Sequence, residues 1–373
     1  MDTQLPLRLL GGLTPTQFMQ RHWQKKPLLV RQAVTDFSPC IGRTELMALA
    51  QREDVESRLI VQGDQGWKMR TGPFNRRSFP ALRQKRWTFL VQGVDLHHEG
   101  VHRFLQQLRF VPEARLDDGM ISYASDAGGV GPHFDSYDVF LFQAHGRRRW
   151  RIGRQKDLSL QEGVPLRILK NFQPGQEYLL EPGDMLYLPP RYAHEGIAEG
   201  ECMTWSVGFR SPQRAEMVRE LLLGLADEAL DDLAQTFYRD PSQTATHEPG
   251  KIPAALQDFA LDGLRQALRD PAVPLMLIGE YLTTPKPQVW FEPSALPLAV
   301  GQGVVLDRRS RMLYDRQHLF LNGEAFRVAG RDARWLRQLA DERQLDTPGM
   351  NQLSHEARHV LAQGVAQGWM HPS

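Results

Sequence analysis

Residues 181–194 read Glu-Pro-Gly-Asp-Met-Leu-Tyr-Leu-Pro-Pro-Arg-Tyr-Ala-His, and this stretch decides the fold. Pro182-Gly183-Asp184 is typical of a tight turn, and the apolar run that follows it predicts a strand. Because proline cannot donate a hydrogen bond to a neighbouring strand, the double proline is expected to end that strand. His194 then lies just beyond the strand, where the mouth of a barrel would be.

Short β-rich runs of the same kind recur between Trp87 and Phe209, separated by Gly, Pro and Asp. Many short strands at this spacing favour a sandwich or barrel over βαβ units. The predicted strands are residues 87–91, 120–124, 137–143, 150–152, 176–180, 185–188 and 202–209. Ahead of them, Thr14 and Pro15 indicate the start of a helix, residues 28–30 a strand and residues 44–51 a second helix.

The composition describes a globular chain of two or three domains. Hydrophobic residues make up 41% and charged residues 24% of the 373, which excludes wholesale disorder. The formal charge of +1 provides no global field for nucleic-acid binding. Two cysteines exclude a disulfide scaffold and a cysteine-only zinc site, and they fit a reducing cytoplasm. No apolar stretch approaches a membrane span and residues 1–12 lack a signal-peptide pattern, so we expect no membrane partner.

The remainder of the chain changes character after the predicted barrel. Residues 1–212 are expected to form the catalytic domain, residues 213–274 a helical segment and residues 275–373 a winged-helix-like domain. Helices are predicted at 216–238 and 254–269, with apolar stripes that suit either a second copy of the chain or the chain's own barrel.

The winged-helix-like prediction rests on a hairpin next to helices. Asn322-Gly323 is a favoured two-residue hairpin turn between apolar runs, and helices are predicted at 333–343 and 351–363. No basic recognition helix stands out, so we expect no sequence-specific nucleic-acid binding, and a plain interaction domain remains open.

The sharpest chemical feature is His133-Phe134-Asp135. Residues two apart on a strand point to the same side, so an imidazole and a carboxylate would lie together. They are two members of a 2-His-1-carboxylate set, which suits Fe(II) and leaves coordination positions open. His194 is the best candidate for the third ligand, although a structural surface histidine remains open.

A cationic residue lies on a predicted strand nearby. Arg148 alternates with Gly146 and Trp150, whereas Arg147 and Arg149 point the other way. A buried arginine is costly unless it meets an anion, and a guanidinium can grip a carboxylate at two points. A dicarboxylate such as 2-oxoglutarate fits this need, whereas the alternative is a solvated strand residue.

Three motifs carry a family resemblance. They are His133-x-Asp135, Gly146-x-Arg148-x-Trp150, and Pro182-Gly183-Asp184 with Pro189 and His194. Together they resemble the JmjC-type cupin barrel, a mainly β double-stranded β-helix or jelly-roll, of Fe(II)- and 2-oxoglutarate-dependent oxygenases. Within that group the chain resembles the bacterial ribosomal oxygenases, and residues 18–31 match their N-terminal pattern.

The resemblance implies a dioxygenase that hydroxylates the β-carbon of an arginine in the sixteenth large-subunit ribosomal protein, releasing succinate and carbon dioxide. It implies Fe(II) on His133, Asp135 and His194, 2-oxoglutarate on Arg148, and molecular oxygen. It also implies that residues 213–274 make a homodimer. Hydroxylation and demethylation both begin with hydrogen abstraction, so the choice between them stays open.

Further site residues are expected from their positions. We expect Asp118 and Tyr137 to hold the substrate arginine, although Asp117-Asp118 also suits a solvated turn. Tyr123 and Ser206 are candidates for the cosubstrate pocket, or simply pack in the core.

Other functions compete with this hypothesis. A cupin metal enzyme that does not use 2-oxoglutarate would need no Arg148, and a ligand-sensing regulator would bind DNA through its C-terminal domain. Residues 355–359 match the His-Glu-x-x-His string of zinc proteases. The 14 residues after His359 offer only His371 and no carboxylate as a third ligand, which favours a chance match. His97, His98 and His145 have weaker claims to a metal than His194.

Overall fold

The computed structural model describes residues 2–233, 236–294, 297–299 and 301–373, without the side chains of 228–233. The chain divides into two compact units, with the boundary between Ser211 and Pro212. Part of the predicted helix 216–238 falls on residues 234–235, which lie outside the described residues. In the described part of the chain, no helix is long and apolar enough to span a membrane.

The first unit is built on one antiparallel sheet of nine strands, in the order β1-β8-β6-β9-β5-β4-β2-β3, with β7 also paired to β6. The strands are β1 (Leu28–Val30), β2 (Ser57–Gly63), β3 (Gly66–Thr71), β4 (Trp87–Val91), β5 (Leu116–Ala124), β6 (Asp138–Gly153), β7 (Gln176–Leu180), β8 (Met185–Leu188) and β9 (Ala193–Phe209). The helices of this unit are α1 (Pro15–Arg21), α2 (Arg43–Leu49), α3 (Val94–His97) and α4 (Glu99–Leu105). The mainly β prediction for this region is confirmed.

Both faces of the central strands are buried. One face joins the N-terminal helices in a large apolar core, where Phe18 of α1 packs on Tyr187 of β8 with ring centroids 5.0 Å apart. The Thr14 hydroxyl caps α1 by accepting a hydrogen bond from the Gln17 amide at 3.1 Å, as the sequence predicts. The other face forms the interior of the barrel, which contains Leu141, Trp150, Ile152, Leu180, Leu186 and Leu188.

Strand β6 differs from its prediction. The predicted strands 137–143 and 150–152 are one strand, and its pairing with β9 is irregular around His145. Gly146 has a φ of 62°, and a methyl group added there would lie 2.0 Å from the Glu201 carbonyl oxygen. The irregularity is therefore a β-bulge, which changes the side-chain phase of the strand. The inward side chains are Val139, Leu141 and Gln143 before the bulge and Arg148, Trp150 and Ile152 after it.

His194 lies beyond β8 as expected, and it is also the second residue of β9, which begins at Ala193. The β2–β3 hairpin, which forms one edge of the sheet, was not predicted. Residues 67–70 alternate apolar and polar side chains, which is a strand signal that the prediction overlooked.

The second unit combines helices with two small sheets. Its helices are α5 (Arg214–Leu233), α6 (Ala254–Ala267), α7 (Ala272–Thr283), α8 (Gly330–Glu342), α9 (Thr347–Gln352) and α10 (His355–Ala366). Its strands are β10 (Val304–Leu306), β11 (Met312–Tyr314), β12 (His318–Leu321), β13 (Glu324–Arg327), β14 (Gln344–Leu345) and β15 (Met370–Pro372).

The predicted hairpin of this unit is confirmed. Asn322 and Gly323, with φ values of 52° and 93°, join β12 to β13. The single helix predicted at 351–363 is instead two helices, because the Ser354 hydroxyl accepts a hydrogen bond from the Ala357 amide and starts α10 anew. Helix α7 was not predicted, and the expected boundary at 274–275 falls inside it.

Candidate metal centre and active site

The structure brings His133, Asp135 and His194 together. His133 lies in the loop between β5 and β6, and its main chain pairs with that of His194 on β9. The His133 amide donates to the His194 carbonyl at 2.9 Å, and the reverse bond is 2.8 Å. One ligand atom from each of His133, Asp135 and His194 lies within 4.8 Å of the other two.

Backbone carbonyls orient both imidazoles. Nδ1 of His133 bonds to the Gly131 carbonyl at 2.9 Å, and Nδ1 of His194 bonds to the Tyr192 carbonyl at 2.9 Å. A carbonyl only accepts, so each Nδ1 carries the proton and each Nε2 keeps its lone pair. This arrangement is typical of metal-binding histidines. The donor set is therefore two Nε2 atoms and a carboxylate, which suits a ferrous ion.

The electrostatics of His194 also favour a metal. Burial, helped by the nearby His133, lowers the pKa of His194 to about 4. The ring is then neutral near pH 7, as a ligand must be. Nε2 of His194 lies 3.6 Å from an Asp135 carboxylate oxygen, and because the ring is neutral this approach is not an ion pair.

Arg148 lies inside the barrel without a counter-ion. It is 5% exposed, and no ion pair to it exists among the described residues. Its Nη1 donates to the Ser122 hydroxyl at 3.0 Å and to the Thr204 hydroxyl at 3.3 Å, and its Nε has no partner in the described part of the chain. Removing a guanidinium from water without an anion is costly, so the site is built for an anionic ligand.

Trp150 links this cation to the imidazoles. Its ring centroid lies 5.9 Å from that of His194, and the Arg148 guanidinium lies 5.5 Å from the same indole. Gly196 leaves room for the indole, because a methyl group added there would meet the Trp150 ring at 2.8 Å. The metal-ligand cluster and the Arg148 guanidinium therefore lie around one indole in the barrel interior, and we call this part of the interior the pocket.

Comparisons with known proteins identify the families and relatives that this chain resembles. A JmjC domain model matches residues 103–217, and a ROXA-like winged helix model matches residues 260–371. The ribosomal protein uL16 3-hydroxylase of Escherichia coli (strain K12) is 35% identical over 320 residues, which cover 82% of this chain and 84% of that protein.

The chain belongs to the ribosomal oxygenase family of JmjC proteins. The X-ray structure of E. coli YcfD matches it with a TM-score of 0.83 and 30% identity over 100% of both chains. The structure of the ribosomal oxygenase YcfD in complex with cobalt and 2-oxoglutarate matches with a TM-score of 0.79 and 30% identity, covering 97% of this chain and 98% of that one. The predicted family, JmjC cupin barrel and winged-helix C-terminal domain are confirmed.

Tyr123 does not face the pocket, which corrects its expected role. Ser122 contacts Arg148, so its neighbour on β5 points to the opposite face. The Tyr123 hydroxyl bonds to Glu201 and accepts from Arg43 at 3.1 Å. Burial, reinforced by Glu201, raises the pKa of Tyr123 to about 12.

Sequence reasoning missed Ser122 and Thr204, the two hydroxyls that contact Arg148. They are directly paired across β5 and β9, and only the register of these strands reveals them. Ser206 lies two residues after Thr204 on the same face of β9 and is 7% exposed, and its place in the cosubstrate pocket stays a prediction.

Asp118 and Tyr137 lie close together near the ligand loop. Asp118 is a buried residue of β5 and does not lie in a solvated turn, which was the alternative expectation. It accepts a hydrogen bond from the Gly93 amide at 3.1 Å. Burial raises the pKa of Tyr137, and the carboxylates of Asp135, Asp118 and Asp117 raise it further. The Tyr137 phenol is therefore a protonated donor beside three acids. Asp117 also pairs with Arg210 at 3.0 Å.

The other histidine motifs form no comparable cluster. Among the described residues, only His133, Asp135 and His194 gather as three metal-ligand side chains. His355 and His359 of the protease-like string are both exposed on α10. His145 lies in the bulged region of β6.

Proposed function

We propose that this chain is an Fe(II)- and 2-oxoglutarate-dependent dioxygenase that hydroxylates ribosomal protein uL16 on the β-carbon of an arginine. The observation that carries the proposal is the buried, anion-free guanidinium of Arg148 in the same pocket as two oriented imidazoles and a carboxylate. A cupin metal enzyme without a dicarboxylate cosubstrate would not require this cation.

The chain's own side chains account for cofactor binding. His133, Asp135 and His194 would hold Fe(II), and Arg148 would hold the distal carboxylate of 2-oxoglutarate in a two-point grip. When bound, iron with molecular oxygen and 2-oxoglutarate supplies the oxidising power to replace a C–H bond by C–OH, with succinate and carbon dioxide as coproducts. Leu141, Leu180 and Leu186 belong to the same buried apolar cluster as Trp150, and this cluster would help to keep water from the site.

The acids around Tyr137 suit an arginine substrate. A substrate guanidinium would approach the carboxylate of Asp118, which is 7% exposed, and the protonated Tyr137 hydroxyl would donate to a substrate carbonyl. Asp118 accepts a hydrogen bond from the Gly93 amide, which would hold its carboxylate at a fixed place. The name of the relative, ribosomal protein uL16 3-hydroxylase, gives the protein and the carbon. The arginine comes from the family resemblance, and the acids around Tyr137 are consistent with it.

The direct test is incubation of the full chain with a uL16 peptide containing the candidate arginine, Fe(II), 2-oxoglutarate and oxygen. We expect mass spectrometry to find one added oxygen on an arginine, with succinate formed in step. Loss of a methyl group from a methylated substrate, or no turnover with all components present, would contradict the proposal. Asp118→Asn is expected to raise the peptide KM at least tenfold without changing the KM for 2-oxoglutarate.

The helical segment 213–274 is proposed to mediate a homodimer. Apolar side chains remain exposed on both of its helices, among them Leu222 and Leu223 at 51% and 50% on α5 and Leu264 at 47% on α6. Exposed leucines at this density favour burial against a second copy. Analytical ultracentrifugation should find a dimer, and Leu222→Lys with Leu264→Lys should give monomers. A wild-type monomer at all concentrations would refute the dimer.

We also propose a cytoplasmic location, where ribosomal proteins are made. Two cysteines, one exposed and one buried and both unpaired, are consistent with a reducing compartment. Fractionation of cells that express a tagged chain tests this placement.

A further inference from the structure

Residues 65–94 form a strongly basic segment of the first unit. These 30 residues contain Lys68, Arg70, Arg76, Arg77, Arg83, Lys85 and Arg86 and no aspartate or glutamate. Because the whole chain has a formal charge of +1, the rest of it carries −6. The seven side chains, which we call the basic hairpin surface, lie on β3 and on the loop that leads to β4, and all seven are exposed.

This surface keeps its charge free. Lys85 pairs with Asp126 at 2.8 Å, and none of the other six has an ion-pair partner among the described residues. Residues 147–151 on β6 are also rich in arginine, but arginines there have ion-pair partners. Its Arg149 bonds to both Glu177 and Glu199, and Arg151 bonds to Glu195. Exposed cations are thus neutralised on β6 and left available on the basic hairpin surface.

The surface adjoins the metal-ligand loop. Trp67 of β3 packs on Gly131, where an added methyl group would meet the indole at 3.3 Å. The Gly131 carbonyl is the acceptor that orients His133. Lys68 and Arg70 lie on the same strand as Trp67 with their side chains on its opposite, exposed face, so the free charge lies on the strand that contacts the ligand loop and faces outward.

We propose that the basic hairpin surface binds the phosphate backbone of ribosomal RNA and presents RNA-associated uL16 to the pocket. This inference rests on the proposed uL16 hydroxylase function. Five of the seven residues are arginines, whose planar guanidinium matches phosphate in a two-point contact. Such contacts are independent of base sequence, so they need no base-reading helix.

RNA fits this surface better than a membrane. A membrane-binding surface inserts several apolar side chains beside its cations. Among the described residues of this segment, Leu82 at 44% is the one large hydrophobic side chain that is strongly exposed. A ribosomal protein substrate also comes with RNA as its natural partner, whereas nothing on this surface selects an acidic peptide.

The test compares two full-chain variants with equal loss of charge. One carries Arg76→Gln, Arg77→Gln and Arg83→Gln in the basic hairpin surface. The matched control carries Arg327→Gln, Arg331→Gln and Arg334→Gln, which are exposed residues of the second unit without an ion-pair partner in the described part of the chain. Circular dichroism checks that both variants fold. The probe is a fluorescein-labelled RNA duplex of about 20 base pairs, followed by anisotropy from about 50 to 200 mM salt.

We expect the wild type and the control to bind the duplex alike, with affinity that falls steeply with salt. The basic-surface variant should bind at least tenfold more weakly, and its log–log salt slope should be shallower by about two to three. Both variants should hydroxylate a free uL16 peptide at the wild-type rate, and the basic-surface variant alone should be slow on uL16 bound to RNA.

Three results would overturn the RNA proposal. They are no duplex binding by the wild type, loss of binding in the control and not in the basic-surface variant, and equal binding to anionic lipid vesicles or polyglutamate. If the wild type binds RNA but never hydroxylates the peptide, the enzyme proposal fails and the RNA surface stands. If the peptide is hydroxylated and RNA is not bound, the RNA proposal fails and the enzyme proposal stands.

Discussion

His133 and His194 are hydrogen-bonded to each other through their main chains in both directions, at 2.9 and 2.8 Å. The loop that carries the first imidazole is thereby locked to the strand that carries the second. The pocket is preorganised before any metal binds, and its ligands do not depend on a flexible loop for their spacing.

Loss of one of these imidazoles should abolish metal binding. We expect His194→Ala to remove turnover and to weaken cobalt binding at least a hundredfold, measured by titration of the full chain. The matched control is His359→Ala on the exposed face of α10, which should bind cobalt and turn over as the wild type does. Full activity in His194→Ala, or inactivity in His359→Ala, would point to the protease-like string instead.

Replacement of the buried cation should separate cosubstrate binding from metal binding. Arg148→Met removes a guanidinium that has no anion in the free chain, so we expect little loss of thermal stability without 2-oxoglutarate. The KM for 2-oxoglutarate should rise more than tenfold, with cobalt affinity nearly unchanged. Arg148→Lys should restore part of the affinity, because it keeps the charge and loses the fork. If Arg148→Met weakens cobalt binding more than it raises the KM for 2-oxoglutarate, Arg148 supports the metal ligands and not the cosubstrate.

Adjacent residues of β5 should give opposite results. Ser122→Ala removes a hydroxyl bonded to Arg148, and we expect a three- to tenfold increase in the KM for 2-oxoglutarate, which is about 1 kcal/mol. Tyr123→Phe removes bonds to Arg43 and Glu201 on the other face, so it should lower stability slightly and leave that KM unchanged. If Tyr123→Phe raises the KM for 2-oxoglutarate more than Ser122→Ala does, Tyr123 contributes to cosubstrate binding after all.

Asp307 of the second unit predicts an acid-sensitive contribution to stability. Burial alone raises the pKa of Asp307, but hydrogen bonds from Arg309 and His371 outweigh burial and lower that pKa to about 2. A carboxyl group whose pKa is lower in the folded chain than its ordinary 3.8 stabilises the fold above pH 4. The contribution, roughly 2 kcal/mol, is lost as pH falls from about 4 to about 2.

Urea unfolding of the full chain at a series of pH values checks this pH dependence. The difference in unfolding free energy between the wild type and Asp307→Asn should be largest above pH 4 and shrink as the pH is lowered. Asp262→Asn, at an exposed ion pair on α6, should follow the wild-type curve throughout. A difference between the wild type and Asp307→Asn that does not change with pH would refute the assigned cause.

The sequence predicted most of what depends on pattern and turn chemistry. The strands at 87–91, 176–180 and 185–188 and the Asn322-Gly323 hairpin agree with the structure because apolar runs and turn residues bound them sharply. The three metal-ligand candidates converge because each lies beside such a boundary. The sequence could not show which of Ser122 and Tyr123 faces the barrel interior. Residues 121–124 of β5 are buried on both faces, so they show no alternation of polar and apolar side chains. The β2–β3 hairpin was missed although the sequence carries a signal for it in residues 67–70, which alternate apolar and polar side chains.

The bulge at Gly146 determines which arginine side chains of β6 point into the barrel. Three guanidinium groups, at positions 147, 149 and 151, lie on the solvent side with glutamate partners, and one, at 148, lies inside. Deleting a single residue between Gln143 and Arg147 would exchange the two sets, sending three charges inward and the cosubstrate anchor outward. The chemistry of this chain therefore depends on a count of residues as much as on their identities, and length changes here should be far less tolerated than most substitutions.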